Sequence, residues 1–306
     1  MNYLRVAWVQ DLNFWVQPGG AERTDKQIVI AGLRRGHEID TITPERFPPA
    51  STIKCDLVVF SNIHTLMQTN KEQMEKLAEQ KPFVMWHHDY WCRFRLYYPM
   101  LEKCKRCIYL PPWRKLYGRS TLNIWMSPLH RDANLFSMPE LATRPYALAP
   151  SGLNPKDYTH EQTADPEPNT VIGVNSLFGF KGSVNVLKYA EKHPELSFTF
   201  AGGSEVTMLP PNCRYVGFKE REELLKLYAE HEALIHLPST CMPCDRVIAE
   251  FLIANPKGKL ITNNCVGILS YPNVVQDGKV NREEIIRLVS TGPQTFWEKV
   301  EEAWKT

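Results

Sequence analysis

Residues 239–267 constrain the fold most, because they have the pattern of a crossover between two parallel strands. An apolar run at 233–237 predicts the first strand, and the chain returns as a second strand at 259–264. Between them a helix is predicted to begin at Asp245, whose side chain can cap it. Apolar residues at helical spacing form the face that packs on the sheet: Val247, Ile248, Phe251 and Leu252. This order predicts a βαβ unit of an α/β protein.

Glu250 interrupts the apolar pattern of the crossover helix. A carboxylate in the first turns of such a helix lies near the carboxyl ends of the strands, where open parallel sheets bind ligands. The amides at the start of the helix form an anion site, and the helix dipole adds about 0.3–1 kcal/mol for a negative group. The loop is therefore predicted to hold a phosphate and, one turn later, a sugar hydroxyl.

Composition places the chain among globular proteins. Its 306 residues are enough for two domains, and 43% are apolar and 23% charged. No apolar run reaches the ~20 residues that span a bilayer, and the first ten residues lack the pattern of a secretion signal. We therefore expect a cytoplasmic protein with no transmembrane segment, whose eight cysteines are thiols rather than a disulfide framework. The net charge of +2 favours no class of partner.

Alternating strands and helices recur in both halves of the chain. In the first half, a strand at 4–10 leads through the glycine turn QPGGAE at 17–22 into a helix that ends near Arg35. Further strands are predicted at 38–43, 57–62, 83–88, 108–110, 122–126 and 146–149. Residues 154–169 are rich in Pro, Asp, Glu and Thr, which predicts a connection between domains.

The alternation restarts at residue 171 and ends with helices predicted at 282–290 and 294–304. Strands that alternate with helices predict parallel sheets covered on both faces. The fold class expected is α/β, with two Rossmann-like domains whose parallel sheets face a central cleft.

Short motifs follow one another along most of the chain: GGAE at 19–22, HDYW at 88–91, SGLN at 151–154, FKG at 180–182, AGG at 201–203, YVGF at 215–218, EELLKLY at 222–228 and LPS at 237–239. MPCDRVIAE at 242–250 ends the series at Glu250. In this order they resemble the GT-B glycosyltransferases, specifically the large retaining group numbered family 4. The resemblance implies an acceptor-binding domain at 1–153, a nucleotide-sugar domain at 154–292, and a final helix at 293–306 that packs back toward the first domain.

The resemblance implies transfer of a sugar, with retention, from a nucleoside diphosphate sugar to an acceptor hydroxyl. Glu250 would bind the ribose, since a vicinal diol offers two donors to one carboxylate. Lys181 would face the diphosphate, where negative charge develops on the leaving group. His88 would contact the transferred sugar. The implied catalytic residues are thus His88, Lys181 and Glu250.

The implied donor-binding set is larger and includes backbone amides: Gly19, Gly20, Lys181, Gly182, Arg246 and Glu250. Amides near Gly20 and Arg246 would supplement the charge of Lys181. The resemblance implies no cofactor, no metal and no dedicated protein base, because the leaving phosphate can accept the proton of the acceptor. The chain also lacks an aspartate pair of the metal-binding type that sugar transferases of the other main fold use.

Two positions depart from the family pattern. Ser176 stands where many members have an Arg, five residues before Lys181. Met242 replaces the first Glu of the family's signature of two Glu residues separated by seven, and a thioether cannot bind a sugar hydroxyl as a carboxylate does. The alternative interpretation is therefore a catalytically impaired GT-B fold that serves as a binding module.

Each implied site residue also has an ordinary structural interpretation. Glu250 and Lys181 could be solvated surface charges, and the glycines at 19–20 could form a turn that needs positive φ. His88 could be a core histidine, with His87 beside it as the alternative sugar contact.

Two cysteine pairs have the spacing of zinc ligands: Cys104 with Cys107, and Cys241 with Cys244. Structural zinc needs four ligands, and these pairs lie far apart in the sequence, with Cys92 near only the first. Cys244 also fits an apolar position in its loop. We therefore expect no metal site.

Residues 91–119 combine eight Arg or Lys with seven aromatic residues and a single acid, Glu102. Basic side chains between aromatic rings favour a polyanion whose bases or sugars can stack. The alternative is a loop with its rings packed inward and its charges solvated. We predict acceptor contacts at Trp91, Arg93 and Arg95, and candidate acceptors that include nucleic acid, in particular a hydroxymethylated base in DNA, and a surface glycan.

Overall fold

The computed structural model describes residues 3–16, 19–90, 105, 110–159 and 165–305. The chain divides into two compact units, one formed by Met1–Leu153 with Ser290–Thr306 and the other by Asn154–Val289. Within the described ranges, no helix combines the length and the apolar character that a membrane crossing requires.

The first unit is built on a six-stranded parallel sheet of order β2-β1-β3-β4-β5-β6. Its strands are β1 (Arg5–Gln10), β2 (Glu38–Ile42), β3 (Leu57–Ser61), β4 (Phe83–His87), β5 (Leu122–Trp125) and β6 (Tyr146–Leu148). Its helices are α1 (Gly20–Arg34), α2 (Leu66–Thr69), α3 (Lys71–Gln80), α4 (Leu110–Arg119) and α5 (Pro128–Ser137). Because β1 lies between β2 and β3, the strand order reverses between β1 and β3, and the loops that follow these strands meet at a ligand-binding edge.

The second unit has a five-stranded parallel sheet of order β11-β10-β7-β8-β9. Its strands are β7 (Glu167–Val174), β8 (Ser197–Ala201), β9 (Cys213–Gly217), β10 (His231–His236) and β11 (Lys259–Thr262), followed by the hairpin of β12 (Val275–Gln276) and β13 (Lys279–Val280). Its helices are α6 (Ser183–Lys192), α7 (Arg221–Glu230) and α8 (Arg246–Ala254). Here the strand order reverses between β7 and β10.

Both sheets are parallel and each unit is Rossmann-like, which confirms the prediction of an α/β protein with two Rossmann-like domains. The crossover predicted around residue 245 is also present as β10, α8 and β11. The inner strands β3 and β4 are buried at every position, as expected for a sheet covered on both faces.

The strand predicted at 108–110 is wrong at its described end, because Leu110 begins helix α4. Residues 108 and 109 lie outside the described ranges. The buried side chains of α4 recur at helical spacing, at Leu110, Trp113, Leu116 and Tyr117. That period identifies a helix whose apolar face packs on the sheet.

The two helices predicted at the end of the chain are one helix, α9 (Arg282–Lys305), with Pro293 inside it. Pro293 packs on residues 150–152 of the first unit, since a Cβ built on Gly152 would lie 2.5 Å from the Cγ of Pro293. At Gly292 a Cβ would lie 2.4 Å from the carbonyl oxygen of Pro150. The proline removes one backbone hydrogen bond, and packing against this segment keeps the helix continuous.

From Ser290 onward, α9 belongs to the first unit and is anchored by Trp297. The Trp297 indole is fully buried, donates a hydrogen bond of 2.7 Å to the carbonyl of Ile28, and packs at 4.7 Å from the ring of His37. Glu301, one turn later, pairs with Arg35 at 2.8 Å. The last turns of the chain are therefore part of the core of the first unit.

Candidate functional site

The glycine pair after β1 lies at the start of helix α1. Gly19 is the N-cap residue with φ −70°, and Gly20 is the first residue of the helix. Neither has positive φ, so the alternative interpretation of a left-handed turn is wrong. Glycine is needed at position 19 because a side chain would overlap Glu22: a Cβ there would lie 2.0 Å from its Oε2. The helix start that was predicted to bind an anion thus already holds the Glu22 carboxylate, whose pKa burial raises.

His88 follows directly after β4, is buried, and meets an acid that sequence reasoning missed. Its Nε2 lies 2.6 Å from Oδ1 of Asp25, and the two side chains are only 2% and 3% exposed. Burial by itself lowers the pKa of His88, but the charge and hydrogen bond of Asp25, together with Asp89 and Glu22, outweigh it, so the pKa is raised. His88 is therefore a buried histidine satisfied by a carboxylate, as the core interpretation expects, and its contact with a sugar stays a prediction.

Helical spacing in α1 could have indicated from the sequence that Asp25 is buried. It lies with Ile28, Val29 and Gly32 on the buried face of α1, where a carboxylate needs partners. It has them: Ser61 Oγ donates at 2.7 Å, Trp86 Nε1 at 3.0 Å, and the imidazole of His88 is the third.

His87, the alternative sugar contact, has a different environment. Its ring stacks on Trp125 with centroids 3.6 Å apart, and its Nε2 is 3.0 Å from Oδ1 of Asn123. Burial lowers the pKa of His87 well below its usual value. His87 is thus a core ring whose partners are Trp125 and Asn123, whereas the partner of His88 is an acid, Asp25.

In the second unit, the FKG turn after β7 packs on the loop after β10. Gly182 is left-handed, with φ +87°, and a Cβ there would lie 1.8 Å from the carbonyl oxygen of Leu237. Asn185 Nδ2 donates to that same oxygen at 3.1 Å. Lys181 is half-buried, with its Nζ 5.8 Å from the ring centroid of Phe180. Gly182 is therefore a packing requirement that fixes the position of Lys181 beside the β10 loop.

We expect Gly182→Ala to destabilise the protein by about 3 kcal/mol, the sum of a left-handed alanine and a steric overlap with fixed backbone. Gly36 is the matched control, since its φ is +88° but nothing lies within 4 Å of a Cβ built there. Gly36→Ala should therefore cost only about 1–2 kcal/mol. Urea unfolding followed by circular dichroism measures both, and equal losses would contradict the packing argument.

Asp245 is the N-cap residue of α8, but its side chain makes no capping hydrogen bond, so the predicted cap is wrong. Its Oδ1 pairs with Nε2 of His236 at 2.8 Å, and its Oδ2 accepts from the amide of Gly267 at 3.3 Å. His236 is the last residue of β10, and Gly267 lies after β11, so both partners come from other segments of the second unit. Asp245 therefore ties the loop that leads into α8 to both neighbouring segments.

Arg246 and Glu250 lie one turn apart at the start of α8. Arg246 Nε is 3.4 Å from Oε1 of Glu250, and the side chains are 14% and 13% exposed. Arg246 also donates from Nη2 to the hydroxyl of Tyr158 at 3.0 Å. Burial, and after it the charge of Glu250, raises the pKa of Tyr158. The carboxylate predicted to bind ribose is thus held in place by a guanidinium, which is in turn held by Tyr158.

The two positions that depart from the family pattern are Ser176, which is buried, and Met242, which pairs through its backbone. Ser176 is 1% exposed, and its Oγ has no hydrogen-bond partner among the residues that the structure describes. Met242 forms a parallel bridge with Val266, and its amide donates to the carbonyl of Cys265 at 2.8 Å. Neither side chain offers a charge to a ligand.

The predicted acceptor contacts Trp91, Arg93 and Arg95 lie outside the described residues, as do Cys92, Cys104 and Cys107. Cys244 is buried, in agreement with the apolar position it fills. Over the described part of the chain, no group of three or more His, Cys, Asp or Glu side chains is placed to hold a metal ion.

Solved structures of glycosyltransferases resemble this chain over nearly its whole length. Sucrose-phosphate synthase from Thermosynechococcus elongatus matches with a TM-score of 0.66 at 15% identity, over 98% of this chain and 94% of its own. HepE of Anabaena in complex with UDP and glucose matches with a TM-score of 0.62 at 12% identity, over 96% and 94%. An alpha-glucosyltransferase in complex with UDP and a 13-mer DNA containing a HMU base matches with a TM-score of 0.56 at 12% identity, over 99% and 95%.

No protein-family model matches the chain, and the search of curated proteins gives no match. The two Rossmann-like units and the structural likenesses together define the GT-B glycosyltransferase fold, as the motif order predicted.

Proposed function

We propose that this protein is a retaining glycosyltransferase that transfers a sugar from a nucleoside diphosphate sugar, with UDP-glucose as the first candidate donor. The observation that carries the proposal lies in the second unit. Strands β7 and β10 are neighbours at the point where the strand order reverses, and Lys181 and Glu250 follow these two strands. Ligands of open parallel sheets bind at such a point. The likeness to HepE, solved with UDP and glucose, supports the choice of donor.

In this proposal Glu250 binds the ribose hydroxyls and Lys181 neutralises the diphosphate. The amides at the start of α8 add hydrogen bonds to the phosphates. Gly182 contributes by its packing on Leu237, which positions Lys181. His88 contacts the transferred sugar. The bond between the anomeric carbon and the diphosphate oxygen breaks, a bond to the acceptor oxygen forms on the same face, and the leaving phosphate takes the acceptor's proton.

Arg246 replaces the cation that family members have at the position of Ser176. Ser176 is buried and uncharged, whereas the guanidinium of Arg246 stands at the first residue of α8. Its Nε lies 3.4 Å from Oε1 of Glu250. In this proposal the charge of Arg246, at the start of α8, acts on the diphosphate through the positive end of the helix. This supports an active enzyme over the impaired binding module.

A thermal-shift experiment with UDP, GDP, ADP and UDP-glucose tests the proposal. A ligand at 100 times its Kd stabilises the folded state by about 2.7 kcal/mol, which raises Tm by several degrees. We expect one diphosphate nucleotide to do this, and uridine, which lacks the phosphates, to have little effect. If no nucleotide stabilises the protein, the proposed function is wrong.

Turnover then separates the enzyme from the binding module. A competent site should hydrolyse its nucleotide sugar slowly even without acceptor, releasing free sugar and nucleoside diphosphate, which chromatography detects. Binding without hydrolysis or transfer to any acceptor would support the impaired module instead.

For the acceptor, we propose a hydroxymethylated base in DNA. It is supported by the basic and aromatic composition of residues 91–119 and by the likeness to the alpha-glucosyltransferase solved with DNA containing a HMU base. In the described part of this segment, Arg114 pairs with Glu140 at 2.5 Å and Arg119 with Glu79 at 3.4 Å, which reduces its positive charge. Transfer to such DNA should weaken steeply with salt, and transfer to a neutral glycan should not.

A further inference from the structure

We propose that Asp25 is a positioning residue for His88: its carboxylate keeps a proton on Nε2 and fixes the orientation of the imidazole, so that Nδ1 is the nitrogen presented to the transferred sugar. This inference rests on the proposed function, in which His88 contacts that sugar. Asp25 does not itself touch the substrate in this proposal. It acts through the ring it holds.

The carboxylate of Asp25 is fixed before it meets His88. Ser61 and Trp86 are paired residues of the neighbouring strands β3 and β4, at the carboxyl end of the sheet. They donate to the two different oxygens of Asp25, Ser61 to Oδ2 and Trp86 to Oδ1. Because Asp25 is only 2% exposed, water does not compete for these oxygens. The acid therefore has one orientation, which is set by the register of two strands.

The chemistry of the pair determines the tautomer of His88. An ionised carboxylate only accepts hydrogen bonds, so the imidazole nitrogen 2.6 Å from it must carry the proton. The proton on Nε2 leaves Nδ1 as the ring nitrogen through which His88 can contact a ligand. Trp86 also fixes the plane of the ring, because its indole meets it edge to face with centroids 5.1 Å apart and planes at 70°.

The surrounding charges favour a cationic ring. Asp25 and Glu22 face His88 from α1, and Asp89 follows it in the chain. The other titratable neighbours are His87 and His130 of α5, and burial lowers the pKa of both, that of His130 to about 3. They stay neutral near pH 7 and do not oppose the charge of His88. In the protonated ring Nδ1 is a donor, which suits an oxygen of the sugar.

The competing explanation is that Asp25 only stabilises the fold as a buried hydrogen-bond acceptor. Asp25→Asn distinguishes the two, because the amide oxygen can still accept from Trp86 and His88 while the negative charge is lost. Ser61→Ala is the matched control: it removes the hydrogen bond to the other oxygen, Oδ2, and leaves both the charge of Asp25 and the ring contact of Trp86 in place.

We expect Asp25→Asn to lower kcat by about 10- to 100-fold with little change in the donor KM, the size of effect seen when a residue that orients a functional histidine is changed. The pKa of His88 is raised in the folded protein, so the cationic ring persists above the ordinary pKa of histidine and is lost as pH rises through the folded value. The fall of kcat at high pH should therefore move to lower pH by about one unit or more in Asp25→Asn, because an opposite charge is removed. Ser61→Ala should destabilise the protein but move this inflection far less than Asp25→Asn, because the charge of Asp25 remains.

Nuclear magnetic resonance of ¹⁵N-histidine-labelled protein tests the ring itself, with His88→Gln to assign its signals. The wild-type protein should show His88 protonated at Nε2 and titrating above the ordinary pKa of about 6.5, and Asp25→Asn should titrate lower. A wild-type His88 with its proton on Nδ1, or a titration that Asp25→Asn leaves unchanged, would overturn the proposal. This readout needs no sugar transfer, so it decides the role of Asp25 even if the proposed function fails.

Discussion

Glu250→Ala is expected to lower kcat/KM for the nucleotide sugar by about 10²- to 10⁴-fold. Each hydrogen bond between a ribose hydroxyl and a carboxylate is worth about 1.5–3 kcal/mol, and the variant loses two of them. Glu250→Gln should fall between this variant and the wild type, since an amide offers one acceptor and one donor in place of two acceptors. Initial rates of sugar transfer or donor hydrolysis over a range of donor concentrations measure the effect.

Glu230→Ala is the control for this experiment. Glu230 also lies four residues from a basic partner, Lys226, on a helix of the second unit, but its side chain is 50% exposed. Such surface pairs contribute at most about 1 kcal/mol to stability, and we expect unchanged kinetics. Glu250→Ala leaves Arg246 without its ion pair, so a melting curve must show that the variant is folded. A folded Glu250→Ala protein with wild-type kcat/KM would contradict the assigned role.

The fold of the second unit could be predicted because its signals are local. Apolar spacing in residues 247–252 identifies the crossover helix without any knowledge of its partners. Asp245 was misassigned for the complementary reason: a local pattern suggests an N-cap, but the carboxylate bonds to His236 and to the amide of Gly267. Its left-handed backbone, with φ +60°, is maintained by these tertiary contacts. Sequence spacing does not encode them.

The site of the first unit shows the same limit. The sequence indicated His88 through a short motif, yet Asp25 became visible only when strand register placed Ser61 and Trp86 beside α1. The roles of Lys181, Arg246 and Glu250 remain predictions, because motif order indicates a ligand but not its contacts. The alternative interpretation of the glycines at 19–20, a turn with positive φ, is wrong, and a neighbouring side chain, Glu22, explains Gly19.

Trp297→Ala is expected to lower the free energy of unfolding by about 3–5 kcal/mol, the usual cost of deleting a large buried aromatic side chain. The indole is fully buried against Gly32 and His37. A Cβ built on Gly32 would lie 2.4 Å from Cζ2 of Trp297, so the indole leaves room only for glycine at position 32. The variant also removes the hydrogen bond to the carbonyl of Ile28.

Trp304→Ala, on the same helix but with a partly exposed side chain, is the matched control and should cost far less. Urea unfolding monitored by circular dichroism compares the two variants without relying on tryptophan fluorescence. Because Trp297 and its partners all belong to the first unit, a transition that moves should be the one that unfolds this unit. Equal losses for both variants would mean that the end of α9 is not anchored by the Trp297 indole, and the packing of Gly32 would need another explanation.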